Sequence, residues 1–264
     1  TAAHHGSRSE NPCPCIDAGI PLAEEGDIIL VSHIDLDTVG GVGQALGFDQ
    51  DLASGPLNFP EFWDLAAFVD VNGPHKLGEW NPEGVSEHTR NHAIDCLYAY
   101  WAWAQASRGP QRSRDSVHDV TGEVNAHLFS ISQILWESGT AGPLREAGQA
   151  FKAAGEALNE DSFRSIRNGV ITRYSDSFVN HLYTTPSGEV AEAVVAFNSK
   201  TKAVTLSFSE KNDPRNAAEI MKAAFGPEAG GHKGIAGSPR GMELEAEEAV
   251  SKVHSIIEWG SVTA

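Results

Sequence analysis

The sequence predicts an α/β chain in two parts. An N-terminal parallel-sheet domain is expected over residues 1–145, a helical linker over 146–165, and a smaller C-terminal α+β domain over 166–264. Three observations carry this expectation. Two short apolar runs, Asp27-Ile-Ile-Leu-Val-Ser32 and Leu65-Ala-Ala-Phe-Val-Asp70-Val71, have the length and β-branched content of buried strands. Helical spacing dominates from 86 to 158. Past 165, alternating runs flank a polar turn, which is a hairpin signature.

In chain order, residues 6–27 are rich in Gly, Ser, Pro and acids and read as loop. The first apolar run follows. Thr38 to Leu46 then enters a helix in which Gly40, Gly41 and Gly43 permit close packing. The second run ends at the Asn72-Gly73-Pro74 turn. Ser86-Glu87 opens a helix over 86–107, marked by Ile94, Leu97, Tyr98, Trp101 and Ala104 and stopped by Gly109-Pro110. Its aromatic residues, including Tyr100 and Trp103, read as core or interface rather than a base-stacking platform. Further helices are expected over 115–137 and 143–158. Val170 to Tyr174 reads as a strand, and 190–197 with 203–208 as a hairpin around Asn198 to Lys202. Asn216 to Phe225 and Glu243 to Trp259 read as helices.

Charge narrows the partners. The net charge is −17, and residues 1–87 carry 15 acids against Arg8 and Lys76. Such a surface repels phosphate backbones at long range, so long duplex nucleic acid is excluded as a partner. No run of about 18 apolar residues exists, so no membrane partner is expected. No basic region followed by an apolar stretch opens the chain, so no signal peptide is visible. Three cysteines, Cys13, Cys15 and Cys96, do not make a disulfide framework. They fit a reducing compartment, and a cytoplasmic location is expected. Cys13-Pro14-Cys15 is too closely spaced for a zinc knuckle and reads as loop.

Three motifs carry chemistry. His33-x-Asp35-x-Asp37 follows the first apolar run. On a strand these alternate residues share one side, where imidazole and carboxylate suit a hard or borderline divalent ion. Asp70, at the end of the second run, and His75, after its turn, repeat that logic. Gly230-Gly231-His232-Lys233 through Arg240 combines glycines, which let backbone N–H groups approach an anion, with cationic donors. No P-loop and no Gly-x-Ser-x-Gly is present.

Together these motifs resemble the DHH phosphoesterase family with its C-terminal DHHA1 domain. His33, Asp35, Asp37 and Gly40 match the opening motif. Gly230, Gly231, His232, Ala236 and Gly237 match the Gly-Gly-His-x-x-Ala-Ala-Gly motif, with Ile235 in place of one alanine. The resemblance implies a DHH-like catalytic domain over 1–145 and a DHHA1-like substrate domain over 166–264. It implies two Mn²⁺ ions on His33, Asp35, Asp37 and Asp70, with Mg²⁺, Co²⁺ or Zn²⁺ as alternatives. It also implies substrate binding by Gly230, Gly231, His232 and Arg240. Asp37, Asp70 and His75 are the expected catalytic groups.

The name-giving Asp-His-His is absent, and Asp70-x-Asn72-x-x-His75 is its nearest substitute. His88 and His92, on one helix face, are further metal candidates, as are Asp119, His118 and His127. His4 and His5 read as a terminal segment. The expected function is two-metal hydrolysis of a small phosphorylated substrate, with a homodimer left open. Three alternatives stand beside it: a non-catalytic nucleotide or anion binder on the same fold, hydrolysis of a non-phosphate ester or amide, and a metallo-β-lactamase-like hydrolase. The last is suggested by Ser32-His33-x-Asp35-x-Asp37, although Thr38 replaces its metal-binding histidine.

Overall fold

The computed structural model describes residues 11–48, 57–109, 116–136, 142–210 and 213–260, with backbone alone at 259 and 260. The chain is mixed α/β and forms two compact units, Thr1–Ala153 and Ala154–Ala264.

The first unit holds α1 (Leu36–Ala45), α2 (Pro60–Asn72), α3 (Glu87–Ala106), α4 (Thr121–Trp136) and the start of α5 (Pro143–Ser162). Two 3-10 turns, Pro14–Ile16 and Pro74–Glu79, lie among them. Its described residues include no strand, so the expected N-terminal parallel sheet is corrected.

The run 65–71 lies inside α2. Pro60 stands at a helix start, where its missing N–H costs nothing. Ala66 and Ala67 favour helix, and Phe62, Trp63, Leu65, Ala66 and Ala67 all turn into the core. A short apolar run does not distinguish a buried helix from a strand, and here tertiary burial chose the helix.

The run 27–32 is irregular chain. Ile28 is 85% exposed and Leu30 76% exposed. A strand needs a neighbour to satisfy its backbone, and no described residue of this unit offers one.

The core of the unit joins Val39, Phe62, Trp63, Leu65, Leu97, Ile131 and Ile134, all essentially inaccessible. Side chains of this size contribute roughly 1.5–3 kcal/mol each when fully buried. Ser86 caps α3 through the Thr89 amide, as its sequence position predicts. No described helix is long and apolar enough to cross a membrane.

The second unit holds β1 (Phe163–Arg167), β2 (Val170–Ser175), β3 (Ala193–Asn198), β4 (Ala203–Phe208), α6 (Ala217–Phe225), β5 (Gly230–Gly231), β6 (Ile235–Gly237) and α7 (Ala246–Gly260). Its sheet runs β1-β2-β3-β4-β6-β5. Only β2 and β3 are parallel; the other pairs are antiparallel.

The central strand β3 is apolar along its length because both faces are covered. Ala193, Val195 and Phe197 meet Met221 and Ala224 of α6 and Val253 and Ile257 of α7. Val194 and Ala196 meet Val179 and Ala191 on the other face. The expected hairpin at 190–197 and 203–208 is present as β3 and β4.

Candidate functional site

The candidate residues fall into two groups, one in each unit. In the first, Asp35 and Asp37 lie at the start of α1 rather than along a strand, so alternation does not align them. Asp35 is the N-cap, and its Oδ1 accepts from the Thr38 amide at 2.9 Å. Its Oδ2 lies 2.7 Å from His33 Nε2, and Ser32 Oγ lies 2.7 Å from His33 Nδ1. Both ring nitrogens are therefore engaged, which fixes the imidazole's direction. The pair is open to solvent: the His33 side chain is 54% exposed and that of Asp35 37%.

Asp37, inside the first turn, is only 6% exposed and accepts from the Cys15 amide at 3.0 Å. That amide belongs to the turn at Cys13-Pro14-Cys15, which lies almost directly on α1. A Cβ at Gly40 would stand 2.5 Å from Cys15 Cβ and 2.7 Å from the Trp63 ring, and one at Gly41 would stand 2.7 Å from Pro14 Cβ. The two thiols point at α2, with Cys13 Sγ 3.7 Å from Ala67 O and Cys15 Sγ 3.7 Å from Trp63 O. Burial pushes the Cys15 thiol far up, and the negative charges of Asp37 and Asp70 push the same way.

Asp35 also acts on Tyr100 of α3. This phenol is raised well above its ordinary value, first by burial and then by the Asp35 charge. Its Oη lies 2.8 Å from His127 Nδ1 on α4, and Trp103 meets the His127 ring edge-on at 4.8 Å. Burial holds His127 below the usual imidazole value, and the charge of Glu123 opposes it.

The remaining histidines are occupied separately. His75, in the second 3-10 turn, folds back over Gly73, where a Cβ would stand 2.7 Å from His75 Cε1. Gly73 has φ +88°, so glycine is needed there on both counts. His88 is exposed, while His92, one turn on, is half-buried. Arg145 Nη2 lies 2.6 Å from His92 Nδ1 and 3.3 Å from Cys96 Sγ. Burial and then the Arg145 charge lower His92, and burial raises the Cys96 thiol to about 11. His118 pairs with Ser116 Oγ at 3.1 Å, and Asp119 accepts from the Thr121 amide at the start of α4. His4 and His5 lie outside the described residues.

Among the described residues, no group of three or more His, Cys, Asp or Glu side chains is placed to hold a metal ion. The donor types suit Mn²⁺, but their arrangement does not form a cage around one.

In the second unit, the glycine-rich motif is the edge hairpin β5–β6. His232 N donates to Ile235 O at 2.7 Å and Ile235 N to His232 O at 3.2 Å, closing the turn. Gly231 has φ +155°, and a Cβ there would collide with Ile235 O. Gly230 and Gly231 are exposed, as are His232 and Arg240. Ala236 is buried against Leu206 of β4, its register partner, which anchors the hairpin. The turn therefore presents an imidazole and open backbone to solvent.

Sequence reasoning missed Cys15, Tyr100 and Arg145. The one available signal was the small-residue face Gly40-Gly41, which implied that something packs closely there. Nothing in the sequence linked Tyr100 to His127.

No protein-family model matches the chain, and no curated protein does. The solved structures similar to it include the following two. One is described as the pGpG-specific phosphodiesterase PggH from Vibrio cholerae, at 11% identity and TM-score 0.38, covering 84% of this chain and 67% of that one. The other is an uncharacterized protein from Helicobacter pylori G27, at 12% identity and TM-score 0.27, covering 78% of this chain and 55% of that one.

Proposed function

We propose that the chain is a phosphoesterase that hydrolyses a small phosphorylated substrate, such as a short oligonucleotide, a dinucleotide or a phosphomonoester. The observation that carries this reading is the exposed His33–Asp35 pair at 2.7 Å, at the start of the helix that also buries Asp37. With both His33 ring nitrogens engaged, the open carboxylate of Asp35 is the group of this pair left to accept from an attacking water. In the second unit, the exposed Gly230, Gly231 and His232 and the guanidinium of Arg240 are of the kinds that bind phosphate.

Two Mn²⁺ ions, or Mg²⁺, Co²⁺ or Zn²⁺, belong to the proposal because imidazole and carboxylate are their donors. Such ions supply a water of low pKa and charge for the phosphoryl oxygens. No step is assigned to them, since no three donors converge among the described residues.

The test is hydrolysis of bis(p-nitrophenyl) phosphate and of a 5′-phosphorylated dinucleotide with each metal in turn, alongside a metal count per chain. Turnover is expected, and Asp37→Asn, which keeps an acceptor for the Cys15 amide, should lower it by about 10²-fold or more. Unchanged activity in that variant, or no turnover with any of the four metals, overturns the reading. Tight binding with intact ligand recovered would favour the non-catalytic anion binder instead.

A further inference from the structure

The segment 17–32 is pinned to α1 and leaves an open cavity of about 490 Å³ beside that helix. Ala23 N donates to Ala45 O at 2.7 Å, and just ahead of the segment Gln44 Nε2 donates to Cys15 O at 2.7 Å. The volume suits a small organic ligand. Ile29 and Val31 of the segment and Val42 and Ala45 of α1 give it apolar walls.

Charge decides the class of that ligand. Asp17 and Asp27 also line the cavity, and no Lys, Arg or His among the described residues does. Nor is a base near in sequence: residues 9–75 hold twelve acids and no Lys or Arg. Each carboxylate uses one oxygen for its own turn. Asp17 Oδ1 accepts from the Gly19 amide at 2.9 Å, and Asp27 Oδ2 accepts from the Glu24 amide at 2.8 Å. The second oxygen of each has no hydrogen-bond partner among the described residues.

An anion is repelled by such a lining. A hard divalent ion takes about six or more oxygen ligands, and apolar walls offer it none. Among the described residues, no three His, Cys, Asp or Glu side chains are grouped to hold a metal ion. A wholly apolar ligand would take water from the carboxylates and return no donor. The lining is complementary to a cation with a carbon body, which brings N–H donors for the carboxylates and CH₂ groups for the walls.

We infer that this cavity binds a small organic cation of the alkylammonium class. Its carbon body lies against Ile29, Val31, Val42 and Ala45, and its ammonium stands beside the open oxygens of Asp17 and Asp27. The site is independent of the phosphoesterase reading, since none of the residues given a part in that reading lines the cavity.

The experiment titrates the full chain with butylammonium, hexylammonium, hexanol, hexanoate and Mg²⁺, and follows backbone amides by NMR. Hexylammonium should bind about five-fold or more tightly than hexanol, as two solvent-open carboxylates allow, and hexanoate should bind weakest. Hexylammonium should also exceed butylammonium by about two- to four-fold per added CH₂. The shifts should concentrate in 28–32 and 38–45. Asp17→Asn with Asp27→Asn keeps an acceptor for each turn amide and removes both charges. It should bring hexylammonium down to the affinity of hexanol, leave hexanol unchanged, and leave the circular dichroism spectrum unchanged.

Equal affinity for hexylammonium and hexanol in the unaltered chain overturns the inference in favour of a neutral apolar site. The same shifts produced by Mg²⁺ at lower concentration overturn it in favour of a metal site. Shifts spread over the acidic surface, or an unchanged preference in the double variant, overturn it as well. Phosphoester hydrolysis is measured on separate samples, so its absence removes the enzyme and leaves the cation site, and the reverse result leaves the enzyme alone.

Discussion

Arg173 is wholly inaccessible, and none of its hydrogen-bond partners is a carboxylate. Its guanidinium donates to the carbonyls of Asn159, Leu182 and Thr184, to Asn159 Oδ1 and to Ser162 Oγ. Burial pushes it down to about 10, so the charge persists at neutral pH with neutral acceptors alone around it. Three of those acceptors, Asn159 O, Asn159 Oδ1 and Ser162 Oγ, belong to the last turn of α5, whose carbonyls have no partners within the helix. Arg173 therefore ties that helix end to β2 and to the loop at 182–184. Arg173→Met should destabilise the second unit by about 3 kcal/mol, read in urea, because it strands several buried acceptors at once. Arg173→Lys should recover little, since three donors on a flexible stem cannot replace five in a planar fork. Nothing in Val170-Ile-Thr-Arg-Tyr174 announced this role: an arginine in a strand reads as exposed until the opposing carbonyls are known.

At the scale of elements, close approach of backbone decides which changes matter. Gly40 lets the Cys13-Pro14-Cys15 turn rest on α1, and that turn delivers the amide that holds Asp37. Gly40→Ala should cost about 1–3 kcal/mol of stability in the first unit through overpacking. On the phosphoesterase reading proposed above, hydrolysis should fall with it, as Asp37 loses its fixed partner. Thermal melting and bis(p-nitrophenyl) phosphate turnover measured on the same sample check both effects, and an unchanged melting point would contradict the packing argument.

Gly231→Ala differs in kind. Its backbone conformation and the Ile235 carbonyl oppose any side chain, yet the edge hairpin β5–β6 is short. Amide exchange should therefore speed up over 230–237 while β2 and β3 stay protected. The helices α3, α5, α6 and α7 and strands β2 to β4 were legible because their patterns run for many residues or alternate cleanly. The runs at 27–32 and 65–71 were not, because four to seven apolar residues without alternation fit more than one structure.

For the whole molecule, acid is the informative perturbation. His92 and His127 in the first unit and His181 and His254 in the second are all held below the ordinary imidazole value, with burial the leading cause in each. The unfolded chain, with histidines near the usual ~6.5, takes up protons before the folded chain does. Their contribution is therefore complete above about pH 6.5 and is lost as pH falls through the lower folded values. Asp213, held low first by its hydrogen bond from Arg215, adds a loss of the same sign in the carboxylate range. The urea midpoint should be level from pH 7 to 8 and fall below about 6.5. A midpoint that rises on acidification would contradict the burial of these rings. The sequence by itself determined the acidity, the absence of a disulfide framework, the long helices, the β3–β4 hairpin and the residue types of both motifs, because each is set by composition or local period. Only the tertiary structure decided that Asp35 caps a helix while Asp37 meets Cys15, that Arg145 takes His92, and that 65–71 is helical. Each of those outcomes depends on which distant backbone or side chain satisfies a polar group or covers an apolar one, and that information is not local.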